Sequence, residues 1–385
     1  MRIGIIGAGL CGLATAAFLA RDGHAVEILE RAPHPRPLGA GLLLQPPGTD
    51  ILARLNTVPE GARITRLDSR ATSGAPLIQL DYADLAPGLH GTGLTRPAIW
   101  STLLDAATSA GARLLPACPI ASVTEDATAI LPSGEQRPYD LLVIAAGTHT
   151  PFWSGRPSHA ARPYPWGCLW ATVTLPRDWP RDMLMQRCRG TATMLGVLPT
   201  GGDTAALYWS IRNDRVPAWR AAPIAAWRDD IARTWQEAES LTANLTHADL
   251  EHATYRDVRA HPPFAGRLVV IGDAAHGTSP QLGQGTTQAL RDALALAEAL
   301  AADAPLEVRL AAYWSARRRR VGYYRLASRA LTPVFQSGIP GLGPLRDLLA
   351  GPVGRLPFVR RQALLTLAGM KDGLFGADAL PAPPR

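Results

Sequence analysis

Gly7-Ala8-Gly9-Leu10-Cys11-Gly12 spaces three glycines as G-x-G-x-x-G between the apolar run Ile3 to Ile6 and an alanine-rich segment reaching Ala20. Each glycine has its own task in a nucleotide-binding turn. Gly7 permits the sharp exit from a strand, Gly9 lets the backbone approach a pyrophosphate, and Gly12 allows close helix–strand packing. The amides at the helix start, those of Leu10 and Cys11 included, then point at the phosphates. A second strand, Ala25 to Leu29, ends at Glu30, about twenty residues beyond the loop, where a carboxylate would accept hydrogen bonds from ribose hydroxyls. Arg31 beside it carries no information about a 2′-phosphate.

A second chemical cluster lies far along the chain. Leu268 to Ile271 runs into Gly272-Asp273-Ala-Ala-His276, and Pro280-Gln-Leu-Gly283-Gln-Gly285-Thr286-Thr287 then opens a long helix containing Asp292. Asp273 at a strand end can accept from a sugar-chain hydroxyl, while the glycines bring backbone amides onto a flat ring or a phosphate.

The elements that must carry these loops follow from periodicity. The segment up to about residue 60 has βαβ character, Arg63 to Tyr82 alternates like a hairpin around Ser73-Gly74, and Pro97 to Ala110 is helical. Tyr139 to Ala146 is another apolar strand. From Arg162 to about His261 the chain turns proline-rich and strand-like, with one helix near Ala225 to Ala238; eight of the ten tryptophans fall between Trp153 and Trp235. That block predicts a mostly antiparallel sheet with an aromatic-lined pocket. Gly338 to Gly343 breaks the chain before two short amphipathic helices, Leu345 to Leu349 and Val359 to Ala368, and Pro381 to Arg385 reads as a frayed tail.

Composition narrows the classes further. At 385 residues, two domains are expected. The net charge of +7 is carried almost wholly by arginine, with Lys371 the only lysine, and it does not by itself name a nucleic-acid or membrane partner. The dense run Arg317 to Arg320 reads as a solvated helix end near the negative pole of its dipole. Cys11, Cys118, Cys168 and Cys188 are spaced too widely for a metal or redox pair and are expected reduced, and the histidines show no metal-ligand spacing. Arg2 and the apolar stretch to Ala20 superficially resemble an export signal, but glycines at turn positions have no place in one, so a soluble cytoplasmic protein is expected.

Taken together, the two glycine clusters and the strands that carry them resemble the FAD-dependent class A flavoprotein monooxygenases, the para-hydroxybenzoate hydroxylase-like aromatic-ring hydroxylases. The resemblance covers nearly the whole chain. It implies an α/β protein with a Rossmann-like FAD-binding domain of the glutathione-reductase type, discontinuous over residues 1–62, 91–161 and 262–335. A mostly antiparallel β-sheet substrate domain would be inserted over 63–90 and 162–261, with a C-terminal helical segment over 336–385. By the same resemblance Gly7, Gly9, Leu10, Cys11, Gly12, Glu30 and Arg31 would meet the ADP half of FAD. Gly272, Asp273, Pro280, Gly283, Gly285, Thr286 and Thr287 would meet its ribityl chain and ring. Arg96 would lie near the phosphates, Ile120 against adenine, and Ala40 and Gly41 beside the flavin.

The implied reaction inserts one atom of O₂ into a phenol-like or heteroaromatic small molecule through a flavin C4a-hydroperoxide, the flavin carrying the chemistry. No catalytic acid or base is assigned; Gln45, Tyr208 and Arg212 are the substrate-pocket candidates, with His149 and Arg162 also polar in that region. NADH or NADPH would be a transient electron donor. Here the sequence departs from the family, because Ala146 and Trp153 stand where it has an aspartate and an arginine that help hold the nucleotide. An external flavin reductase is the alternative donor. Flavin halogenation, which needs a guiding lysine, is set aside because Lys371 is remote in sequence from both motifs. The same FAD loops also serve reductases or dehydrogenases of quinone or isoprenoid substrates, and flavoproteins that only bind a partner. A monomer or homodimer without nucleic-acid or membrane partners completes the expectation.

Overall fold

The computed structural model describes residues 1–36, 39–153, 156 and 159–379, so the expected tail Pro381 to Arg385 lies outside the described residues. Its centre is a six-stranded sheet in the order Phe264–Ala265, Leu268–Val270, Leu141–Ile144, Arg2–Ile6, Ala25–Leu29, Arg113–Leu115. All pairings are parallel except that of the edge strand Phe264–Ala265. Strands buried on both faces must be apolar on both. Leu141, Leu142, Val143 and Ile144 are accordingly all inaccessible.

Three strands deliver their C-terminal ends side by side. The Ala145 amide donates to the Ile6 carbonyl at 2.9 Å and the Ile271 amide to that of Ile144 at 3.1 Å. The loops beginning at Gly7, Ala145 and Gly272 therefore open at one sheet edge, the edge where open α/β sheets bind ligands.

Helices cover this sheet: α1 (Leu10–Arg21), α2 (Pro46–Arg54) and α3 (Arg96–Ser109) from the first part of the chain. Every residue of α1 from Cys11 to Ala20 is buried, because the helix has protein on all sides. Its alanines let neighbours approach closely, and the Cys11 thiol donates to the carbonyl of Ala289 at 3.6 Å.

The second layer is a seven-stranded sheet ordered Glu251–Ala260, His159–Thr174, Thr204–Arg212, Thr193–Gly201, Met183–Arg189, Arg66–Ala71, Pro76–Asp81. It is antiparallel apart from the pairing of Met183–Arg189 with Arg66–Ala71. Its outer face packs on α4 (Val216–Ala221) and α5 (Ile224–Thr234), with Trp209, Trp227 and Trp235 buried there. Much of the tryptophan-rich sequence is thus packing rather than pocket. A three-stranded sheet of Gly41–Leu44, Gly91–Thr95 and Ala62–Ile64 bridges the two layers.

The remaining helices are α6 (Asp273–His276), α7 (Gly285–Leu300), α8 (Leu306–Phe335), α9 (Leu342–Gly354) and α10 (Pro357–Leu367). The last two are longer than the amphipathic stretches suggest. One expectation is overturned: Arg317 to Arg320 is not a solvated helix end. The helix continues to Phe335, and Arg317 and Arg320, three residues apart on one face, are 3% and 6% exposed. Their partners are carboxylates distant in sequence, Asp292 and Asp378. No helix among the described residues is long and apolar enough to cross a membrane.

Candidate functional site

The three glycines of the first loop are required for different reasons. Gly7 has φ +107° and a Cβ there would sit 2.7 Å from the Ala145 carbonyl oxygen; a Cβ on Gly12 would sit 2.0 Å from that of Gly7. At Gly9 nothing lies within 4 Å of that position. Protein explains the first and third glycines, whereas the second clears space for something else. The loop is braced by Glu30, whose carboxylate accepts from the amides of Ala8 and Ala32, both at 2.9 Å. Held this way, Glu30 sits at the loop with its remaining lone pairs free for hydroxyl donors. Arg31 is exposed. Cys11 turns its thiol into the α1–α7 contact and can offer a ligand only its backbone amide. Ile120 lies just past Cys118, whose amide donates to the Glu30 carbonyl at 2.8 Å.

The second cluster meets the first at α1. A Cβ on Gly272, φ +61°, would lie 2.8 Å from the Cys11 sulfur. Asp273 is exposed, and its Oδ1 is the nearest neighbour, at 3.9 Å, of the space beside Gly285. Gly283, φ +61°, has only open space next to it, and Pro280 is exposed at the start of its turn. The Thr287 hydroxyl accepts from the Gln45 amide at 3.4 Å, and the Thr286 and Thr287 amides belong to the first turn of α7, whose N–H groups have no partner within the helix. Two helix N-termini and two carboxylates, Glu30 and Asp273, thus stand at the ends of neighbouring strands, a set suited to an anionic dinucleotide with hydroxyl-bearing sugars. The residues present therefore fit FAD.

Sequence reasoning missed what holds this turn. Asp292 is 0% exposed and accepts from the Gly272 amide at 2.8 Å and from Arg317 Nε at 2.7 Å, with His276 Nε2 at 2.5 Å. Burial opposes its charge, yet the charges of His276 and Arg317 and their hydrogen bonds prevail and hold the carboxyl well below the usual carboxylate range. A readable signal existed: on α7 an acid sits on the apolar stripe Ala289, Ala293, Leu296, Leu300. Also missed were Trp100, whose Nε1 donates to the Ala8 carbonyl at 2.8 Å, and Gln284, whose Nε2 donates to the Leu367 carbonyl at 2.7 Å.

On the substrate side the candidates separate. Arg96 lies alongside Gly39, its Cδ and Nε 3.0 Å from where a Cβ would be, and its amide donates to the Ala40 carbonyl at 3.3 Å. Gly41 begins a strand so tight against the large sheet that a Cβ would meet Ala206 at 2.8 Å. Gln45 is buried, accepting from the Tyr82 hydroxyl at 2.6 Å. Tyr208, like Ala40, Leu43 and Trp170, packs against the apolar cluster of Ile64, Leu184, Leu198 and Ala206, and its ring lies 5.2 Å from that of Trp170. Its hydroxyl meets Gln186, and burial pushes its phenol far above the usual value. Trp170 Nε1 donates to Tyr255 at 3.4 Å.

The structure does not bring Arg212 into this group; it is exposed, paired with Asp214 at 2.8 Å and lying over Trp166. His149 and Arg162 are likewise exposed. Ala146 is half-buried at the sheet edge, and Trp153 is a core residue with Arg156 stacked 4.4 Å over its ring. Arg156 is in turn committed to Glu125 at 2.7 Å. Lys371, remote in sequence, lies two residues past Gly369, where a Cβ would come 2.9 Å from Gln284 Oε1. Its buried ammonium donates to Gln362 at 2.9 Å and to the Leu374 carbonyl at 2.7 Å, so it is engaged in closing the C-terminal hairpin.

Two expected outcomes follow from this geometry. Gly9→Ala retains the fold of the cofactor-free chain but loses most FAD affinity, whereas Gly12→Ala lowers thermal stability as well; equal melting temperatures for the two variants would contradict the division of roles. Asp292→Asn strands the buried Arg317 cation and costs about 3 kcal/mol or more in urea unfolding at pH 7. Because the folded carboxyl is held below its unfolded value, its stabilisation is complete above about pH 4 and is lost as the pH falls further. The part of the gap between Asp292→Asn and the parent that comes from this carboxylate is therefore lost only below about pH 4.

The sequence model of the family described as an FAD binding domain matches residues 1–323. The chain is 28% identical over 366 residues to 3-amino-4-hydroxybenzoate 2-monooxygenase of Streptomyces cremeus, covering 87% of this chain and 88% of the relative. It is 27% identical over 375 residues to 2-heptyl-3-hydroxy-4(1H)-quinolone synthase of Mycobacteroides abscessus, covering 91% and 94%. Klebsiella pneumoniae HpxO, solved with FAD and uric acid, shares the fold with a TM-score of 0.79 at 19% identity, over 96% of this chain and 97% of that one. The chain belongs to the FAD-binding class A monooxygenases, the flavoenzymes related to aromatic and heteroaromatic hydroxylases.

Proposed function

We propose that the chain oxygenates a small planar molecule, phenol-like or nitrogen-heteroaromatic, held between the Gly41–Leu44 strand and the wall formed by Trp170, Tyr208 and Tyr255. The observation that carries this reading is that Ala40 and Leu43 join Tyr208 and Trp170 around one apolar cluster on one side, while the same segment is anchored to Arg96 at the cofactor loops on the other. The two named relatives point the same way, one acting on an aminohydroxybenzoate and the other named for a hydroxyquinolone.

FAD, when bound and reduced, supplies the activation of O₂. The roles of the chain's own residues are then positional. Gly7, Gly9, Gly12 and the amides of Leu10 and Cys11 hold the pyrophosphate, Glu30 the ribose, Ile120 the adenine and Arg96 the phosphate region. Asp273 takes the ribityl hydroxyls, and the Gly283 to Thr287 turn donates amides to the ring. Ala40 and Gly41 run beside it. Residues 1–62, 91–161 and 262–335 would form the cofactor unit, and 63–90 with 162–261 the cover.

Burial raises the phenols of Tyr208 and Tyr255 above their usual values, so both stay protonated at neutral pH. They act as hydrogen-bond donors toward a substrate oxygen or ring nitrogen, not as bases. The aromatic wall excludes water that would compete for the activated oxygen. Proton removal from a phenolic substrate falls to its own acidity and to solvent at the pocket mouth.

The electron donor is NADH or NADPH bound transiently. The missing aspartate and arginine at Ala146 and Trp153 weaken that contact, which makes an external reductase the competing outcome. Anaerobic stopped-flow reduction by NADH and NADPH, with phenolic acids and quinolones present or absent, separates them. Substrate-stimulated reduction supports a self-sufficient hydroxylase; no reduction by either nucleotide assigns the electrons to a separate reductase. Admission of O₂ is then expected to give a product heavier by one oxygen. Failure of every ring to gain oxygen from the chemically reduced enzyme would sink the reading. Tyr208→Phe is expected to lower kcat/KM about tenfold, the loss of one hydrogen bond, with FAD content unchanged.

A further inference from the structure

A cavity of about 190 Å³ lies between the paired strands His159–Thr174 and Glu251–Ala260 and the helix α8, lined by Ala160, Arg162, Asp257, Arg259, Arg325 and Arg329. Four arginines line it against a single carboxylate, that of Asp257, whose Oδ1 is buried without a hydrogen-bond partner. The strand register sets Arg162 opposite Asp257 and Ala160 opposite Arg259, while Arg325 and Arg329 project from successive turns of one helix face. Asp257 is engaged by Arg329 through Nε and Oδ2. Nη1 of Arg325 is buried with no hydrogen-bond partner. Burial, and after it the charges of Arg329 and Arg259, lower the proton affinity of Arg325 from its ordinary value. A surplus of converging cations in a concavity is costly unless an anion joins them.

We propose that this cavity binds a phosphate-class polyanion, a diphosphate or phosphate monoester either free or carried by a nucleotide, through Arg162, Arg259 and Arg325, with Arg329 held in place by Asp257. Guanidinium forks match phosphate oxygens in pairs, and Arg259 and Arg162 on the rim are accessible to an incoming ligand. The volume lies below the roughly 300 Å³ at which sites for whole drug-sized ligands begin, so it accommodates an anionic group rather than an entire dinucleotide. Both walls are tied to the loop following Asp273. The Val258 amide donates to the Gly277 carbonyl at 2.8 Å, and the Ser328 hydroxyl to that of Ser279 at 3.1 Å. Occupation of the cavity would therefore stiffen the support of the cofactor turn without touching it.

The test is calorimetric titration of the FAD-loaded enzyme with inorganic pyrophosphate, the cofactor's own pyrophosphate loop being filled. One saturable site per chain is expected, weakening as salt rises. Arg259→Gln, at an exposed position, and Arg325→Gln should each weaken it about tenfold, the loss of one charge-assisted contact. Melting temperatures confirm that both variants fold, and Arg325→Lys is expected to fall between Arg325→Gln and the parent. Absence of saturable binding, or unchanged affinity in Arg259→Gln and Arg325→Gln, overturns the proposal. Competition identifies the source. Displacement of pyrophosphate by NADPH or NADH supports the site as one for a nucleotide's phosphates, and undisturbed pyrophosphate binding beside either supports it as one for a free anion. The titration reads the cavity whether or not any aromatic is oxygenated, so its failure and that of the hydroxylase reading are distinguishable.

Discussion

A single buried carboxylate governs the cofactor edge of this fold. Asp292 receives the Gly272 amide from the strand end, His276 from the short helix after it and Arg317 from the long helix α8. Two segments far apart in sequence, the turn 272–276 and α8, are thus fixed to one point on α7. A charge in such a place is tolerated because both carboxylate oxygens find donors and a cation stands beside it. The consequence is positional. Gly272 is held at φ +61°, so Asp273 points away from the core and toward the first turn of α7.

That arrangement explains which parts of the chain were legible beforehand. The loop Gly7 to Gly12, Glu30 and the turn Asp273 to Thr287 could be read because local backbone chemistry dictates the residue types. At Gly7, with φ +107° and a Cβ position 2.7 Å from a carbonyl oxygen, and at Gly12, where that distance is 2.0 Å, only glycine fits. The alternation of the second sheet was legible for a similar reason, since one face is buried and the other covered only in part.

The rest depended on partners that no window of sequence contains. Arg317 and Arg320 look solvated from their neighbours, and only the placement of Asp292 and Asp378 beside α8 turns them inward. Trp153 reads as the loss of a cation, and the structure shows it instead as a buried platform for Arg156, three residues on. Arg212 was legible as a strand residue, but whether its side chain reached a pocket depended on Asp214, two residues away on the surface. Tyr208 is the opposite case: its meaning comes from Gln186 and Trp170, brought to it from neighbouring strands.

The closing contact of the cofactor turn comes from far downstream. Gln284 gives its amide group to the Leu367 carbonyl, and Gly369 packs against Gln284, Gln45 and Thr287. Cys11, for its part, touches Ala289 across 278 residues of sequence. The glycine loop and the turn facing it are therefore completed by segments far downstream of each. Long-range closure of this kind is slow, because the chain entropy is lost before the contacts repay it. The glycine loop is without its counterpart until the later segment has packed against it, and the cofactor, as a ligand of the folded state, stabilises a site that both segments have already formed.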